Sequence, residues 1–305
     1  MRQVITLQTA ILPPDTFSGW ILYTIGDSSW NPHYIRLYET ACAKRGMTIC
    51  QGLYDPRLLS DQEAIRRLEN LLLTKRPQFV INRTRDFRLA QLLESVGIHV
   101  FNNAQLCRLG NDKALAYAYM QQRKIPVMPT ICGLQTPPPW YPAVVKSRGG
   151  HGGTEVFYIR DASAWREWNS QRRLQKDEQA QYIVQQAASE LGRDVRVYVV
   201  GNEIRAAVLR VSDTDFRSNY CLGGSVRLYM LSSEERALVQ QAVCGLSIGM
   251  AGIDFIFHQG QMVFNELEDM VGARGLYSLT DHDIVDDYVG FVCKVLANTD
   301  TKQHL

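Results

Sequence analysis

Three carboxylates in the last quarter of the chain have the spacing of a metal site. Asp254 lies in the apolar stretch 252–257, and Glu266 and Glu268 stand two positions apart in the stretch that follows. Side chains two apart on a strand share a face, and a turn at 259–260 returns the second strand beside the first, so all three can meet. Such a cluster repels itself unless a cation neutralises it, and it suits Mg²⁺, with Mn²⁺ as an alternative. Solvated charges on a sheet face are the other interpretation, which the apolar neighbours of Asp254 disfavour.

A glycine-rich loop is the second feature that could do chemistry. It contains Gly149, Gly150, Gly152 and Gly153 and follows the strand residue Lys146 closely. Glycines leave backbone N–H groups open to an anion, and the lysine adds a point charge for a phosphate. No Gly-Lys-Ser/Thr follows, so this is not a Walker loop. Taken alone, such a stretch is more often a flexible turn than a phosphate-binding loop.

Two further cationic positions are weaker candidates. Lys113 follows Asp112 at the predicted start of a helix, where an isolated lysine is usually solvated. Arg217 is followed by Ser218 and Asn219, and a guanidinium with hydroxyl and amide donors can hold a tetrahedral anion. Lys113 and Arg217 become stronger candidates for a binding site only when they are considered together with the glycine loop and the carboxylates.

The first region, 1–105, alternates strands and helices and predicts a small parallel sheet of α/β type. An apolar run at 20–25 precedes a helix from near Pro32, and Ser60 with Glu63 is typical of a capping box that starts another helix. The stretch 26–29 lies where parallel sheets present ligands, and it is also typical of a plain turn and helix cap. No GxGxxG motif is present, so the pattern does not favour a dinucleotide-binding domain.

The other two regions are predicted to be 106–184 and 185–305. The central region has a helix from residue 113 to about 122 and two strands that flank the glycine loop. The C-terminal region reads as α+β, with hairpins around 201–202 and 259–260, a capping box at Ser232 and Glu235, and a closing amphipathic helix.

Composition narrows the function classes. The chain has 305 residues, of which 46% are hydrophobic and 21% charged, with a net charge of +2, so charge favours neither a nucleic-acid partner nor a membrane surface. Seven scattered cysteines with no CxxC pair disfavour a disulfide framework and a zinc site. We see no signal peptide and no apolar run long enough to span a membrane, and we expect a cytoplasmic protein.

Together these motifs resemble the ATP-grasp superfamily, and most closely its RimK-type branch, the ribosomal-protein glutamate ligases. Segments in the family's order run from about 79 to 277, and Asp-Phe-Arg-Ser-Asn at 215–219 is the most specific match. The resemblance implies an ATP-grasp fold, in which a parallel-sheet domain at 1–105 precedes two α+β subdomains that grip ATP.

The resemblance also assigns roles to individual residues. Lys146 and Arg217 are implied as catalytic, and Asp254, Glu266 and Glu268 as ligands of two Mg²⁺ ions. The implied nucleotide-binding residues are Lys113, Lys146, Gly149, Gly150, Gly152, Gly153, Gln185, Gln186, Ala187, Asp194, Arg217, Ser218 and Asn219.

Two positions depart from the family pattern, and a third is a candidate for the substrate. The family's third metal ligand is usually Asn, whereas this chain has Glu268, which predicts a more acidic site. The hinge that grips adenine usually reads Gln-Glu, and here it reads Gln185-Gln186. Arg274 is a candidate for binding a substrate carboxylate or phosphate, with a structural salt bridge as the alternative.

The implied reaction is ATP-dependent amide formation between a carboxylate and an amine through an acyl phosphate, with release of ADP and phosphate. A kinase that phosphorylates a small-molecule hydroxyl is the alternative on the same fold. The expected substrates are small molecules, amino acids or peptides, and homo-oligomers are common in the family.

Overall fold

The computed structural model describes residues 3–7, 17–153, 155–172, 174–218 and 224–303. The chain forms two compact units. Unit 1 comprises residues 1–108, 246–250 and 283–305, and unit 2 comprises residues 109–245 and 251–282. The predicted boundaries at residues 105 and 184 stay a prediction. None of the helices in the described part of the chain is long and apolar enough to cross a membrane.

Unit 1 is built on a five-stranded sheet with the strand order β1-β3-β2-β4-β5. Strands β2 to β5 run parallel to one another, as predicted. The edge strand β1 was not predicted, and it pairs with β3 in antiparallel orientation. The strands are β1 (Ile5–Leu7), β2 (Ser18–Thr24), β3 (Thr48–Tyr54), β4 (Phe79–Arg83) and β5 (His99–Phe101).

The helices of unit 1 cover the sheet. They are α1 (Ile25–Trp30), α2 (Pro32–Ala43), α3 (Gln62–Lys75), α4 (Phe87–Ser95), α5 (Ala104–Gly110) and α11 (Ile284–Gln303), with a 3₁₀ turn at Pro56–Ser60. The closing helix α11 lies on α2, and just after α2 the two terminal guanidinium nitrogens of Arg45 donate to the Asp286 carboxylate at 2.8 Å. The core between sheet and helices is apolar and includes Trp20, Leu22 and Val80.

Two local predictions in unit 1 were wrong. Helix α3 is capped by Asp61, whose side chain accepts from the N–H groups of Glu63 and Ala64, and not by Ser60. Ser60 is instead the last residue of the 3₁₀ turn, so the helix begins one residue later. The stretch 26–29, predicted as a turn, lies within the single-turn helix α1, which Thr24 caps.

Unit 2 contains two antiparallel sheets. The four-stranded sheet has the order β6-β9-β7-β8, and the five-stranded sheet has the order β12-β11-β10-β13-β14. The strands of the first are β6 (Thr130–Cys132), β7 (Ala143–Ser147), β8 (Val156–Ile159) and β9 (Tyr182–Gln186). Those of the second are β10 (Glu190–Val200), β11 (Glu203–Val211), β12 (Ser225–Leu228), β13 (Met250–His258) and β14 (Gln261–Glu268).

Five helices complete the described part of unit 2. They are α6 (Lys113–Gln122), α7 (Ala162–Arg172), α8 (Lys176–Gln179), α9 (Ser233–Val243) and α10 (Arg274–Tyr277). Asp112 caps α6 by accepting from two backbone N–H groups, which fixes Lys113 as its first residue. The capping box of Ser232 and Glu235 at the start of α9 is present as predicted.

Candidate active site

The three carboxylates meet on one face of the β13–β14 hairpin. Asp254 stands directly opposite Glu266, and Glu268 is opposite Gly252. One carboxylate oxygen from each residue lies within 4.8 Å of the others. The alternation of side chains along a strand, with the Gln259-Gly260 turn, therefore brings the carboxylates together as the sequence predicts.

Asp254 is held in a buried ion-pair network. The residue is only 1% exposed. It accepts two hydrogen bonds from Arg196, at 2.8 and 2.7 Å, and a third from Arg210 at 2.7 Å. Burial alone would raise the pKa of Asp254, but the two guanidinium groups hold it at about 2. Asp254 is therefore ionised at neutral pH with no cation bound.

The two glutamates are also paired with cations. Glu268 contacts Arg196 at 2.7 Å, and Glu266 contacts Lys113 at 2.9 Å. Burial raises the pKa of Glu266, Lys113 opposes that rise, and the charges of Glu268 and Asp254 add to it. Glu266 thus has one cation and two further carboxylates as neighbours, and a bound metal ion would offset the repulsion among the carboxylates.

Lys146 projects from β7 into a polar, buried environment. Its ammonium group donates to the side-chain oxygens of Gln185 at 2.9 Å and Asn265 at 2.7 Å, and to the Tyr117 hydroxyl at 3.3 Å. Burial lowers the pKa of Lys146 to about 8, although Glu266 and Asp194 act to raise it. Neutral acceptors hold the ammonium group without neutralising it, so its charge is available to an anion.

The glycine loop connects β7 to β8 and is held by two cations. Lys113 donates to the carbonyl oxygen of Gly150, and Arg217 donates to that of Gly153 at 2.6 Å. Gly152 and Gly153 have φ values of 67° and 74°, a region that favours glycine. The side chains expected to bind phosphate thus contact the loop's own carbonyl oxygens.

Arg217 belongs to an Asp-Phe-Arg sequence that occurs twice in this chain. In both copies, the carboxylate accepts from the arginine backbone N–H and from two guanidinium nitrogens: Asp215 with Arg217, and Asp86 with Arg88. The copy in unit 1 caps α4. Only Arg217 of the two also binds a glycine-loop carbonyl among the described residues. The tripeptide alone is therefore a local ion-pair motif. What distinguishes Arg217 from Arg88 is its position beside the glycine loop.

Most of these groups line one pocket in unit 2, whose empty space of about 930 Å³ includes open solvent. The predicted residues that line it are Lys113, Lys146, Gly150, Gly152, Gly153, Gln185, Gln186, Asp194, Arg217, Ser218, Glu266 and Glu268.

The remaining predicted residues have other positions. Gly149, Ala187, Asp254 and Arg274 are not among the pocket-lining residues, and Asn219 lies outside the described residues. Ala187 is buried beside the pocket, with its N–H bound to the Pro142 carbonyl at 3.0 Å. Asp254 is bound by Arg196 and Arg210, which also do not line the pocket. Asp194 lines the pocket while both its oxygens accept from Arg210 at 2.6 Å.

Sequence reasoning missed Arg210 and Asn265 as parts of this site, and it included Arg196 only within the segment 192–196, which resembles a family segment that reaches the nucleotide. Arg196 lies two residues after Asp194, and Arg210 is opposite Asp194 on β11, so the three share one sheet face. An alternating Asp-x-Arg pattern on a strand was the available signal for Arg196. Asn265 directly precedes the predicted ligand Glu266, and no spacing rule singles it out.

The donor set fits a divalent cation. An ionised carboxylate offers about four lone-pair positions. Within the described residues, Glu266 and Glu268 each have one oxygen in an ion pair, and Asp254 has a lone pair left on Oδ1. Mg²⁺ commonly takes a few protein carboxylates and completes its shell with water and phosphate oxygens. The arrangement can therefore bind a polyphosphate together with a metal ion.

Comparison with known families supports this chemistry. Residues 134–289 match the model of the RimK-like ATP-grasp domain family. A protein of Mycoplasma pneumoniae, described as uncharacterized protein MG012 homolog, is 32% identical over 208 residues, which cover 61% of this chain and 70% of that protein. The glutamate–LysW ligase ArgX of Sulfolobus acidocaldarius is 25% identical over 222 residues, which cover 70% of this chain and 79% of that ligase.

A solved structure shares the fold. The D-alanine–D-alanine ligase of Bacillus anthracis, crystallised with ATP, superposes with a TM-score of 0.68 at 12% identity. The superposition covers 94% of this chain and 99% of that ligase. The predicted fold class is therefore confirmed.

Proposed function

This chain belongs to the family of RimK-like ATP-grasp domains, and from that premise we propose that it is an ATP-dependent ligase that joins a carboxylate to an amine. The observation that carries the proposal is the pocket of unit 2, where Lys113, Lys146 and Arg217 face the paired glutamates Glu266 and Glu268. The kinase alternative is not favoured, because relatives such as the Sulfolobus enzyme are ligases by name.

The triphosphate of ATP binds under the glycine loop in this proposal. Lys113 and Arg217 then exchange the Gly150 and Gly153 carbonyl oxygens for phosphate oxygens, which are better acceptors because they are charged. Lys146 supplies a third cation from the floor of the pocket. Gln186 at the end of β9 is the hinge side chain open to adenine, since Gln185 is buried and bonded to Thr130 and Lys146.

Members of this superfamily use ATP with a divalent metal ion. We propose that Asp254, Glu266 and Glu268 hold two Mg²⁺ ions, with Mn²⁺ as an alternative, and support comes from their shared face and their mutual distance. The bound metal supplies charge neutralisation and orientation of the phosphates. Glu266 is central to this assignment, because it stands directly opposite Asp254 on the hairpin and contacts Lys113.

The chain's own groups then promote two transfers. A carboxylate oxygen of the substrate attacks the γ-phosphorus and ADP leaves, while Lys146 and Arg217 stabilise the negative charge on the transferring group. The amine next attacks the acyl carbon, loses a proton, and expels phosphate to leave the amide. No side-chain nucleophile is required, and the closed glycine loop excludes water that would hydrolyse the acyl phosphate.

We propose that the substrates are an amino acid and a second amino acid or peptide, with glutamate as the first to test. The Sulfolobus relative is a glutamate ligase by name. The test is ADP release in the presence of Mg²⁺, with and without glutamate, across a panel of amino acids and peptides. Stimulation at least tenfold above the basal rate with an amide product supports the proposal, and a panel without any amide product contradicts it.

Arg274 is proposed to bind the carboxylate of one substrate. It begins α10, is exposed, and has no ion pair within the described part of the chain. Arg274→Ala should raise the KM of that substrate about tenfold or more, since a charge-assisted hydrogen bond is lost. The KM of ATP should stay within about twofold of wild type. An unchanged substrate KM would contradict the assignment.

Nucleotide affinity should depend on pH through Lys146. The protonated amine attracts phosphate, and burial lowers its pKa to about 8. The KM of ATP should therefore rise as the pH increases from about 7 to about 9, because the neutral amine loses that attraction. Lys146→Arg keeps its charge over this range and is the control. A flat profile for wild type, or the same rise in the Arg variant, would contradict this role.

The expected cytoplasmic location, the homo-oligomer and the absence of nucleic-acid and membrane partners stay predictions from composition and resemblance.

A further inference from the structure

Five charged side chains form an alternating row across the sheet beneath the pocket. In order, they are Asp194, Arg210, Asp254, Arg196 and Glu268. The contacts within the row are 2.6 Å from Asp194 to Arg210, 2.7 Å from Arg210 to Asp254, and 2.7 Å from Arg196 to both Asp254 and Glu268. The two end residues, Asp194 and Glu268, both line the pocket. The side chain of Glu268 is 29% exposed, and the other four are nearly inaccessible.

Arg196 is the member that joins two proposed metal ligands. Its Nε and one of its terminal nitrogens bind Asp254, and the terminal nitrogen Nη2 also contacts Glu268. Its aliphatic stem crosses Gly252, where a Cβ would lie 3.4 Å from Arg196 Cδ and 2.7 Å from a Val271 methyl group. A side chain at this position would therefore clash with Val271, and the arginine stem already packs within van der Waals distance of the glycine.

The row also explains how Asp254 can be buried. An ionised carboxylate with 1% exposure is unstable without partners, and breaking a buried pair leaves an uncompensated charge. Arg196 and Arg210 occupy three of the roughly four lone-pair positions of Asp254. One position on Oδ1 is left, which allows a single bond to a metal.

We propose that Arg196 is a positioning residue that acts as a built-in countercharge: it holds Asp254 and Glu268 together when no metal is bound, and it weakens the site's affinity for a free divalent cation. This inference rests on the proposed metal role of these carboxylates. Arg196 competes with the cation for the same negative charge, so the complete site forms only when nucleotide phosphates add further ligands. Arg196 bridges Asp254 and Glu268. Its contact with Glu268 is an ion pair because residue 268 is a carboxylate, whereas an amide there would carry no charge.

The test measures Mn²⁺ binding without nucleotide, by electron paramagnetic resonance of the free ion and by thermal unfolding. Arg196→Met should bind Mn²⁺ at least about tenfold more tightly than wild type, because the carboxylates lose their competing cation. The metal-free variant should unfold at a lower temperature, and Mn²⁺ should raise its Tm by more than it raises that of wild type. A purely structural role predicts the opposite for affinity, since disordered ligands bind metal less well.

Two further variants keep the test decisive. Arg196→Gln removes the charge but keeps hydrogen-bonding capacity, so it should also bind Mn²⁺ more tightly and serves if Arg196→Met does not fold. Arg196→Lys keeps the charge and should stay close to wild type in affinity. Arg205→Met is the matched control, because Arg205 pairs with Glu203 at 3.0 Å on the same sheet, outside the row.

Tighter Mn²⁺ binding by Arg196→Met and Arg196→Gln, but not by Arg196→Lys or Arg205→Met, supports the proposal. Equal or weaker binding by the two charge-removing variants, including no measurable binding by any protein, overturns it. Failure of the ligase proposal would appear separately, as no amide product from wild-type protein, and would leave the Mn²⁺ comparison intact.

Discussion

Replacing Glu266 with glutamine is expected to lower kcat/KM for ATP by about 10²- to 10³-fold. The metal-binding carboxylates provide several kcal/mol of transition-state stabilisation, and each 1.4 kcal/mol is a factor of about ten. Glutamine keeps the size of the side chain and removes the charge that faces Asp254, Glu268 and Lys113. The measurement is initial rate of ADP release against Mg²⁺ concentration, in which the variant should need much more Mg²⁺ for half-maximal activity.

Glu203→Gln is the control for Glu266→Gln. Glu203 pairs with Arg205 on β11 at 3.0 Å and is largely exposed. Its loss should leave ADP release and the Mg²⁺ requirement unchanged, since exposed pairs contribute little. If the Glu266 variant kept activity within about threefold of wild type, the metal assignment would be wrong.

Arg217→Met should lower kcat by about 10²-fold, because it removes one donor that stabilises charge on the transferring phosphoryl group. The chain supplies its own control. Arg88→Met breaks the same Asp-Phe-Arg ion pair with the same pattern of contacts, in unit 1. Both variants lose a partly exposed pair of similar geometry, so each should change the free energy of unfolding by about 1 kcal/mol or less.

The comparison of these two variants separates catalysis from folding. Rates of ADP release with the best substrate pair, and urea unfolding curves, should be measured for both. A large fall in kcat for Arg217→Met with an unchanged rate for Arg88→Met supports the catalytic role. Equal rates in the two variants would mean that Arg217 acts only as a local ion pair.

Local sequence signals predicted most of the elements that carry the site. The two-residue spacing of Glu266 and Glu268, the tight turn before them and the start of α6 at Lys113 depend only on residues close in sequence. Strand alternation and helix capping depend on residues close in sequence, so they can be predicted without knowledge of the tertiary structure. The single-turn helix α1 had no periodic pattern to reveal it. Ser60 and Asp61 are both good caps, and the 3₁₀ turn at 56–60 decides between them.

The ion-pair row could not be predicted from sequence spacing. Arg196 and Asp254 lie on β10 and β13, which are neighbours in the sheet. Along the chain, the described residues between these two strands include two strands and a helix. Which strands become neighbours is decided by packing, and a shift of one residue would place either side chain on the opposite face. The partners of Lys146 come from three separate elements for the same reason.

The structure also changes how Glu268 is understood. A carboxylate in place of the family's usual amide predicted a more acidic site. Arg196 lies 2.7 Å from this carboxylate, so the added negative charge has a cation directly beside it. The departure from the family pattern and the arginine bridge are therefore parts of one arrangement.

The central claim is that a carboxylate is activated by phosphoryl transfer and then captured by an amine. Its most direct test uses amino acids and peptides with ¹⁸O in their carboxyl groups, incubated with the protein, ATP and Mg²⁺. Mass spectrometry of the released phosphate should find one ¹⁸O atom per phosphate, in equal amount with ADP and with an amide product. Unlabelled phosphate, or a stable phosphorylated product with no amide, would contradict the account.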